Sequence, residues 1–395
     1  MTIELRPLGV NCNIACQYCY QHPLRDAGVR ATGYDLAAMV AALDREDQPF
    51  ALFGGEPLLV PIADLEDLFA LGLRRHGRNT LQTNGALIDE GHIALFKAYR
   101  VSVGISFDGP GPLNDARWAG SLERTRAATE RSERAIERLC AEEIDVSLII
   151  TLHRGNASPE RLPALHEFVR RAAGLGVRGA RLHVLEVESA AIRARYALST
   201  AENLAALLSF ARLERELPPG FLDVFSELEQ LSRGRDDRAS CVWRACDPYT
   251  TAAVSGIEGN GQRTNCGRTN KDGIDFAKAD QAGYERSIAL YHTPQEFGGC
   301  QGCRFWLLCK GQCPGTAIDG DWRNRTEHCE LWTALFSHVE SAMIAQGRPP
   351  ISQHPERARI EQALLERWMA GHNPPLAAVM AQLDLPPLDQ PESAL

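Results

Sequence analysis

The sequence predicts an α/β fold with a parallel β-sheet, followed by a loop-rich region that binds metal through cysteines. Two observations predict this architecture. From residue 3 to about residue 188, short β-rich runs alternate with amphipathic helical runs, which is typical of a parallel sheet whose strands are connected by helices. Further along, eight cysteines lie between Cys241 and Cys329, and clustered cysteines in a long chain indicate metal sites rather than a disulfide scaffold.

The predicted elements follow one another as strand–helix repeats. The strands are predicted at 3–8, 50–54, 80–83, 101–108, 145–152 and 180–187, and the helices between them at 34–44, 62–75, 89–99, 122–143 and 159–174. In the fourth helix, Glu and Arg recur at spacings of three and four, which predicts a solvated face with salt bridges. A helical bridge, a helix at 331–346 and a proline-rich tail without chemistry are expected to follow.

Length and composition limit the class of protein. A chain of 395 residues is long enough for two or three domains, and its formal net charge of −9 argues against a nucleic-acid partner. No apolar stretch approaches the roughly 20 residues that span a bilayer, and the amino terminus lacks a signal pattern. We therefore expect a cytoplasmic protein that binds neither membrane nor nucleic acid. Cys140 stands apart from the other cysteines and is expected to be a buried structural thiol.

Three cysteines near the amino terminus, Cys12, Cys16 and Cys19, have the spacing C-x3-C-x2-C. Three thiolates in one short loop can hold three corners of a four-iron cluster and leave one iron open to a small molecule, because full ligation takes four cysteines. A zinc site would need another nitrogen or sulfur ligand, and His22 is the only nearby candidate. With the aromatic Tyr18 before the last cysteine, the motif resembles the signature of the radical S-adenosylmethionine (radical SAM) enzymes.

This resemblance implies a partial (β/α)6 TIM-like barrel with its active site at the carboxyl ends of the strands. It also implies a [4Fe–4S] cluster that binds SAM and cleaves it to a 5′-deoxyadenosyl radical, with Tyr18 part of the SAM site. After the second strand come Gly54, Gly55, Glu56 and Pro57, which resemble the family motif that binds the SAM ammonium group. Glycines at such a turn allow the backbone to approach a ligand closely.

Further SAM contacts are expected after the next two strands. Gln82 and Asn84 follow the third strand, and Ser106 and Asp108 follow the fourth. Both runs resemble segments of radical SAM peptide modifiers, in which the serine helps to bind SAM. Polar turns that merely end a strand are the structural alternative.

An arginine of the fourth helix is expected to pair with the SAM carboxylate, as in related enzymes, because the guanidinium group matches carboxylate geometry. Arg134 is the best match, and Arg131 and Arg126 are the alternatives.

The carboxy-terminal cysteines follow a specific pattern. Cys246 is followed by Gly261 and Cys266, and then by C-x2-C-x5-C-x3-C and a last cysteine. This pattern resembles the SPASM extension of radical SAM enzymes that mature peptides and proteins, and Cys241 adds an eighth thiol. Two auxiliary [4Fe–4S] clusters are implied, one on Cys241, Cys246, Cys266 and Cys313, and the other on Cys300, Cys303, Cys309 and Cys329. Zinc knuckles are the alternative for 300–313 alone.

The resemblance covers about residues 1–335 and also implies domain boundaries. A radical SAM barrel is expected at 1–190, a helical bridge at 191–238, a loop-rich SPASM iron–sulfur domain at 239–335, and carboxy-terminal helices and tail at 336–395.

The catalytic acid or base is not assigned by the sequence. Anaerobic sulfatase-maturing enzymes carry a catalytic aspartate directly after the cysteine that matches Cys266, and this chain has Gly267 there. The remaining candidates are His183, Glu186, Glu188, Asp247 and Asp272.

The hypothesis is therefore a radical SAM oxidoreductase that modifies a residue of a ribosomally synthesised peptide, forming a carbon–carbon, ether or thioether crosslink. Formylglycine formation from Ser or Cys, as in anaerobic sulfatase-maturing enzymes, is the alternative, and a non-catalytic iron–sulfur electron carrier or sensor is the second. The expected partners are a precursor peptide or protein and a flavodoxin- or ferredoxin-type reductant. Because the cluster loop begins at Cys12, either a separate leader-peptide-binding protein or leader-independent recognition is expected.

Overall fold

The computed structural model of the chain describes residues 3–21, 33–187, 189–237, 239–250, 255–269, 279 and 282–388. Two compact units are present, one of Met1–Asp223 with Val254–Ala277 and one of Val224–Ala253 with Lys278–Leu395. Three residues considered from the sequence lie outside the described residues: His22, Glu188 and Asp272.

The first unit is built on a single β-sheet. Its strands are β1 (Ile3–Arg6), β2 (Phe50–Leu52), β3 (Asn79–Thr83), β4 (Val101–Ser106), β5 (Val146–Leu152), β6 (Gly179–Val184), β7 (Ser255–Glu258) and β8 (Arg263–Thr264). The strand order is β6-β5-β4-β3-β2-β1-β7-β8, and the pairs from β1 to β6 are all parallel. The predicted α/β fold and its six parallel strands are confirmed. Within the described residues β1 pairs with β7 and not with β6, so the sheet is open.

Helices connect the strands of this sheet. They are α1 (Leu36–Glu46), α2 (Ile62–His76), α3 (Glu90–Ala98), α4 (Leu122–Ala141), α5 (Arg154–Ala157), α6 (Leu162–Gly174), α7 (Ala190–Tyr196) and α8 (Thr200–Leu213). The next helix, α9 (Asp223–Ser232), belongs to the second unit from Val224 onward. Several begin where a short polar side chain accepts a backbone N–H, as Asp35 does for α1, Asp89 for α3 and Ser121 for α4. Helix α2 ends at Gly77, whose φ of 70° suits glycine.

The charged helix α4 has the predicted solvated face. It buries Ala128, Ala135 and Ile136 against the sheet side, whereas Glu130 and Arg134 are mostly exposed. The buried residues recur at spacings of three, four and seven, which places them on one face of the helix.

Strands β7 and β8 were not predicted, and they place residues 255–264 in the sheet of the first unit rather than in a separate carboxy-terminal domain. Strand β7 pairs in parallel with β1, and β8 pairs antiparallel with β7. The run Ser-Gly-Ile-Glu offers only one aliphatic side chain, Ile257, to a buried position. So short a run carries too little periodicity to be recognised as a strand.

The second unit is mainly helical, with α10 (Glu285–His292), α11 (Trp306–Cys309), α12 (Cys329–Ala345), α13 (Arg357–Met369) and α14 (Leu376–Gln382). Aromatic rings form much of its core. Trp368 of α13 packs edge-on against Trp306 and stacks on Tyr284, at centroid distances of 5.9 Å in both cases. The predicted helices at 331–346 and in the tail are therefore parts of this core. In the described residues, none of the helices has the length and apolarity needed to span a membrane.

Candidate active site

A cavity of about 200 Å³ lies at the carboxyl ends of the parallel strands in the first unit. Side chains from the ends of several strands line it, including Gln82 of β3, Ser106 of β4, Thr151 of β5 and His183 of β6. Because parallel strands present their carboxyl ends at one edge of a sheet, these distant segments meet there. The expected location of the site is thus where the structure has a cavity.

The three amino-terminal cysteines line this cavity together. Burial raises the pKa of Cys12 to about 11 and that of Cys16 to about 12, and the neighbouring thiol of Cys19 adds to both shifts. Partly buried thiols whose ionised forms disfavour each other, as those of Cys12 and Cys16 do, require a strong positive charge to become thiolates. None of the twelve cysteines, all within the described part of the chain, is in a disulfide. The donor set therefore fits an iron–sulfur cluster.

The cysteine loop has no regular secondary structure and is fixed by contacts with its surroundings. The backbone N–H groups of Ala15 and Gln17 donate to the carbonyls of Trp118 and Ala116, at 2.6 and 2.7 Å. Tyr18 is buried within the loop and lines the cavity. Its hydroxyl donates to the carboxylate of Asp108.

Asp108 lies beneath the loop rather than in the cavity wall. Its carboxylate is completely buried and accepts hydrogen bonds from Arg117 Nη2 and the Thr151 N–H, each at 3.0 Å. Burial acts to raise the pKa of Asp108, but the Arg117 guanidinium outweighs it, aided by His153 and Tyr18, and holds that pKa well below its ordinary value. Asp108, expected from the sequence to contact SAM, is therefore a buried anion that supports the cysteine loop and does not belong to the cavity lining.

The two glycines after β2 pack directly on the cysteine loop. A Cβ at Gly55 would lie 2.0 Å from the Asn11 carbonyl oxygen, and one at Gly54, whose φ is +117°, would lie 2.6 Å from that of Gly9. Only glycine allows this approach. Both glycines line the cavity, so bare backbone faces whatever binds beside the cysteines.

Glu56 and Pro57 stand behind this turn. The Glu56 carboxylate is buried and accepts hydrogen bonds from Thr83 Oγ1 at 2.7 Å and from the N–H of Asn84 at 2.9 Å. Burial raises its pKa. Glu56 therefore ties the end of β2 to the end of β3, and neither it nor Pro57 belongs to the cavity lining.

Gln82, Asn84 and Ser106 do line the cavity, as the sequence predicts. Gln82 Nε2 donates to Ser106 Oγ at 2.9 Å, which joins the ends of β3 and β4. Asn84 Nδ2 donates to Asn13 Oδ1 at 2.7 Å and lies 3.9 Å from the sulfur of Cys12. An amide beside a ligating sulfur tunes the metal group that the sulfur holds.

The predicted arginine contact is not at the cavity. Arg134 has a side chain 66% exposed and pairs with Glu130 on the outer face of α4. Of its alternatives, Arg126 pairs with Asp115 and Arg131 donates to a carbonyl at 3.3 Å. Two other arginines line the cavity instead, Arg268 and the buried Arg117.

Another part of the cavity wall is formed by polar residues, of which the sequence analysis identified only some. His183 and Glu186 line the cavity as candidates, and the structure adds Glu4 and Arg268. Arg268 Nη1 donates to Glu186 Oε1 at 2.9 Å, and its Nη2 lies 2.7 Å from His183 Nδ1. The N–H of Gly267 faces Glu4 Oε2 at 3.4 Å. A charged residue between two apolar residues of a strand, as Glu4 is in β1, is the feature of the sequence that could have indicated a position in the site.

Asp247, the remaining described candidate, lies in the second unit. Its carboxylate is buried and accepts hydrogen bonds from the N–H groups of Tyr249 at 2.9 Å and Thr250 at 3.3 Å. This geometry closes a turn just after Cys246 and is structural.

A smaller cavity in the second unit is lined by the four cysteines expected to hold one auxiliary cluster, Cys300, Cys303, Cys309 and Cys329. Burial raises the pKa of Cys300 to about 12, with Cys303 and Cys329 adding to the shift. Trp306, Trp332 and Arg325 line the same cavity. Within the described residues, Nε1 of each tryptophan and Nε of the arginine are buried without a hydrogen-bond partner. Buried donors beside four thiols fit an iron–sulfur cluster.

The five cysteines that line neither cavity are divided between the two units. Cys266 belongs to the first, together with Cys140, whereas Cys241, Cys246 and Cys313 belong to the second. Cys140 is only partly buried, although burial still raises its pKa.

Comparison with known families agrees with this site. Residues 7–168 match the model of the Radical SAM superfamily, so this part of the chain is a radical SAM domain. The protein is a radical SAM enzyme, of a family that uses SAM and a [4Fe–4S] cluster, which sets aside the non-catalytic alternative.

Among individual proteins, the chain is similar to radical SAM maturases. It is 27% identical over 359 residues to the serine-type anaerobic sulfatase-maturating enzyme of Klebsiella aerogenes, covering 85% of this chain and 84% of that one. It is similar in structure to anSMEcpe with bound AdoMet and Cp18Cys peptide (TM-score 0.64, 20% identity, 87% of this chain, 98% of that chain). It is also similar in structure to Streptococcus suis SuiB bound to precursor peptide SuiA, with a TM-score of 0.55 and 15% identity, over 83% of this chain and 75% of that chain. These structural likenesses establish the shared fold.

Proposed function

We propose that the protein oxidatively modifies a residue of a peptide or protein in the cavity of the first unit. The observation that carries the proposal is the meeting of Cys12, Cys16 and Cys19 with the bare turn at Gly54 and Gly55 on a single cavity. When bound there, SAM and a [4Fe–4S] cluster would supply a 5′-deoxyadenosyl radical that removes a hydrogen atom from the substrate. The substrate would then lose a proton to solvent, and an auxiliary cluster would accept the second electron.

The chain's own residues bind and orient in this proposal. The three cysteines hold the cluster, the backbone of the glycine turn faces the SAM ammonium group, and Gln82 and Ser106 complete the SAM site. Arg117 replaces Arg134 as the guanidinium for the SAM carboxylate, because its Nε is buried without a partner in the described residues while Nη2 stays on Asp108.

The second unit is proposed to hold an auxiliary cluster on Cys300, Cys303, Cys309 and Cys329, supported by their common cavity. A second auxiliary cluster, on Cys241, Cys246, Cys266 and Cys313, rests on cysteine spacing. A flavodoxin- or ferredoxin-type protein would supply electrons, and a separate leader-binding protein would deliver the peptide where a leader is used.

The favoured modification is an intramolecular crosslink in a ribosomally synthesised peptide. The support comes from Gly267, which stands where formylglycine-forming enzymes have their aspartate base. A Cβ at Gly267 would lie 3.0 Å from Arg6 Nη1 and 3.3 Å from both Gln21 Nε2 and Tyr20 Cε2. A side chain at position 267 would therefore require these neighbouring side chains to shift by a few tenths of an ångström.

Formylglycine formation is a second candidate. The observation that favours it is the similarity to the serine-type anaerobic sulfatase-maturating enzyme over 85% of this chain.

The test begins with anaerobic reconstitution, SAM and dithionite, with 5′-deoxyadenosine measured by chromatography. Cys16→Ala should abolish this product while the auxiliary iron remains, whereas Cys140→Ala should behave as wild type. Persistent SAM cleavage by Cys16→Ala would contradict the proposed cluster.

A second assay separates the two modifications. A precursor-like peptide encoded beside the gene and a serine peptide from a sulfatase are each incubated with the enzyme. Crosslinking and serine oxidation both remove two hydrogens, so a hydrazide that traps aldehydes distinguishes them. A hydrazide adduct on the sulfatase peptide, without reaction of the precursor, would select formylglycine formation.

A further inference from the structure

His183, Glu186 and Arg268, named here the Arg268 cluster, form a fixed polar group in the cavity wall. Arg268 donates through Nη1 to Glu186 Oε1 at 2.9 Å, and its Nη2 contacts His183 Nδ1 at 2.7 Å. A guanidinium group has donors only, so His183 Nδ1 accepts, and the ring proton of His183 is on Nε2. The contact thus fixes the tautomer of the histidine.

The Arg268 cluster carries no net charge. The guanidinium of Arg268 balances the carboxylate of Glu186 in an ion pair. Burial, and then the positive charge of Arg268, hold the pKa of His183 well below its ordinary value, so the imidazole is neutral at physiological pH.

One acceptor of this cluster is left unsatisfied. Glu186 Oε2 is buried and has no hydrogen-bond partner within the described residues, although Glu186 lines the cavity. A buried acceptor without a partner costs about 1–3 kcal/mol, which a ligand that donates a hydrogen bond would recover.

The direction of Glu186 is fixed by its neighbours along the chain. Leu185 and Val187 are buried with Tyr18 and Ala116 in one apolar cluster. With the residues on either side packed inward, the intervening carboxylate is held without further ordering when a ligand binds.

We propose that the Arg268 cluster binds the substrate side chain next to the reacting carbon, and that it selects an uncharged group that both donates and accepts hydrogen bonds. A serine or threonine hydroxyl, or an asparagine or glutamine carboxamide, would donate to Glu186 Oε2 and accept from His183 Nε2. A charged side chain would bring an unbalanced charge against a cluster whose own two charges cancel. This inference rests on the proposed function, because it assumes that the cavity receives the substrate.

Binding of blocked amino-acid amides to the anaerobic holoenzyme with SAM tests the selectivity, by equilibrium dialysis. The probes are the N-acetyl amides of serine, asparagine, lysine and glutamate, which share the same backbone groups. Wild type should bind the serine or the asparagine probe about fivefold tighter than either charged probe, the free-energy equivalent of one hydrogen bond. The serine and asparagine arms separate a hydroxyl from a carboxamide preference.

Two charge variants sharpen the test. Glu186→Gln removes the negative charge that pairs with Arg268, so the glutamate probe should gain about tenfold, whereas Arg268→Gln removes the positive charge and should favour the lysine probe by a similar factor. Glu216→Gln, in an exposed pair with Arg170, is the matched control and should keep the wild-type order. Circular dichroism verifies that each variant is folded.

A wild-type preference for a charged probe, the same order of probes in all variants, or no dependence on the side chain would each overturn the inference. Formation of 5′-deoxyadenosine is measured in the same samples. If SAM is cleaved but the order does not respond to the variants, the inference alone fails. If SAM is never cleaved, the proposed function fails, while the side-chain order still tests the subsite.

Discussion

Replacement of Arg286 by methionine is expected to destabilise the second unit. The guanidinium of Arg286 is buried and donates to four backbone carbonyls: Trp322 at 2.6 Å, Cys246 and Gln312 at 3.1 Å each, and Asn324 at 2.8 Å. Methionine keeps an apolar stem but offers no donor, so four carbonyls lose a charged partner. These carbonyls belong to three separate segments of the chain.

The magnitude follows from those contacts. Unsatisfied buried acceptors cost about 1–3 kcal/mol each, but burial lowers the pKa of Arg286, which means that keeping this charge inside also costs free energy. The net loss of unfolding free energy is therefore expected to be about 3–5 kcal/mol rather than the full sum. Two of the four carbonyls belong to Cys246 and to the residue before Cys313, so iron bound by these cysteines should also be lost.

Tryptophan fluorescence during denaturation by urea measures this effect selectively. Five of the six tryptophans lie in the second unit, and Trp118 alone lies in the first. Iron content after anaerobic reconstitution is the second readout. Arg170→Met, which breaks an exposed ion pair with Glu216, should cost less than about 1 kcal/mol and no iron. An Arg286→Met protein with wild-type stability and iron content would refute the reasoning.

Three further outcomes are expected in the first unit. Gly55→Ala places a methyl group 2.0 Å from the Asn11 carbonyl oxygen, so the variant should displace the cysteine loop. We expect it to lower the unfolding free energy by about 1–3 kcal/mol in thermal melts and to abolish 5′-deoxyadenosine formation. Gly174→Ala, where the new methyl group has nothing within 4 Å, is the neutral control, and equal behaviour of the two variants would contradict this packing. Folding lowers the pKa of His183. The protein therefore keeps its full stability above the unfolded pKa near 6.5 and loses about 1 kcal/mol of unfolding free energy by pH 5.5, where the unfolded histidine takes up a proton and the folded one does not. His183→Gln should remove this part of the pH dependence of stability measured by circular dichroism, and an unchanged pH dependence would contradict the argument. Asn84→Ala removes the amide 3.9 Å from a cysteine sulfur and should shift the midpoint potential of the cluster at constant iron content, so an unchanged potential counts against this contact.

Local patterns explain what the sequence could predict. The six parallel strands and the cysteine spacing are each encoded within short stretches, because strand periodicity and loop ligation need only neighbouring residues. Gln82, Asn84 and Ser106 reach the cavity for the same reason, since each stands at the carboxyl end of a parallel strand.

The missed features depend on long-range packing. Arg134 lies on the outer face of α4, and the helical phase of the buried Ala135 and Ile136 would have placed it there. By contrast, no local pattern indicates that Arg117 reaches the cavity through Asp108, or that Arg268 joins His183 from a segment 85 residues away. Such pairings follow from tertiary structure alone.

The burial of one tyrosine has a consequence for how this enzyme could acquire new substrates. Tyr18 belongs to the cysteine loop, and its ring packs in the same apolar cluster as the two residues that flank Glu186. Enlarging that wall would also loosen the support of the cysteine loop, so a substitution that widens the cavity there is expected to weaken the loop as well. Adaptation is therefore expected at cavity-lining positions outside that apolar cluster, where a substitution leaves the packing of Tyr18 intact.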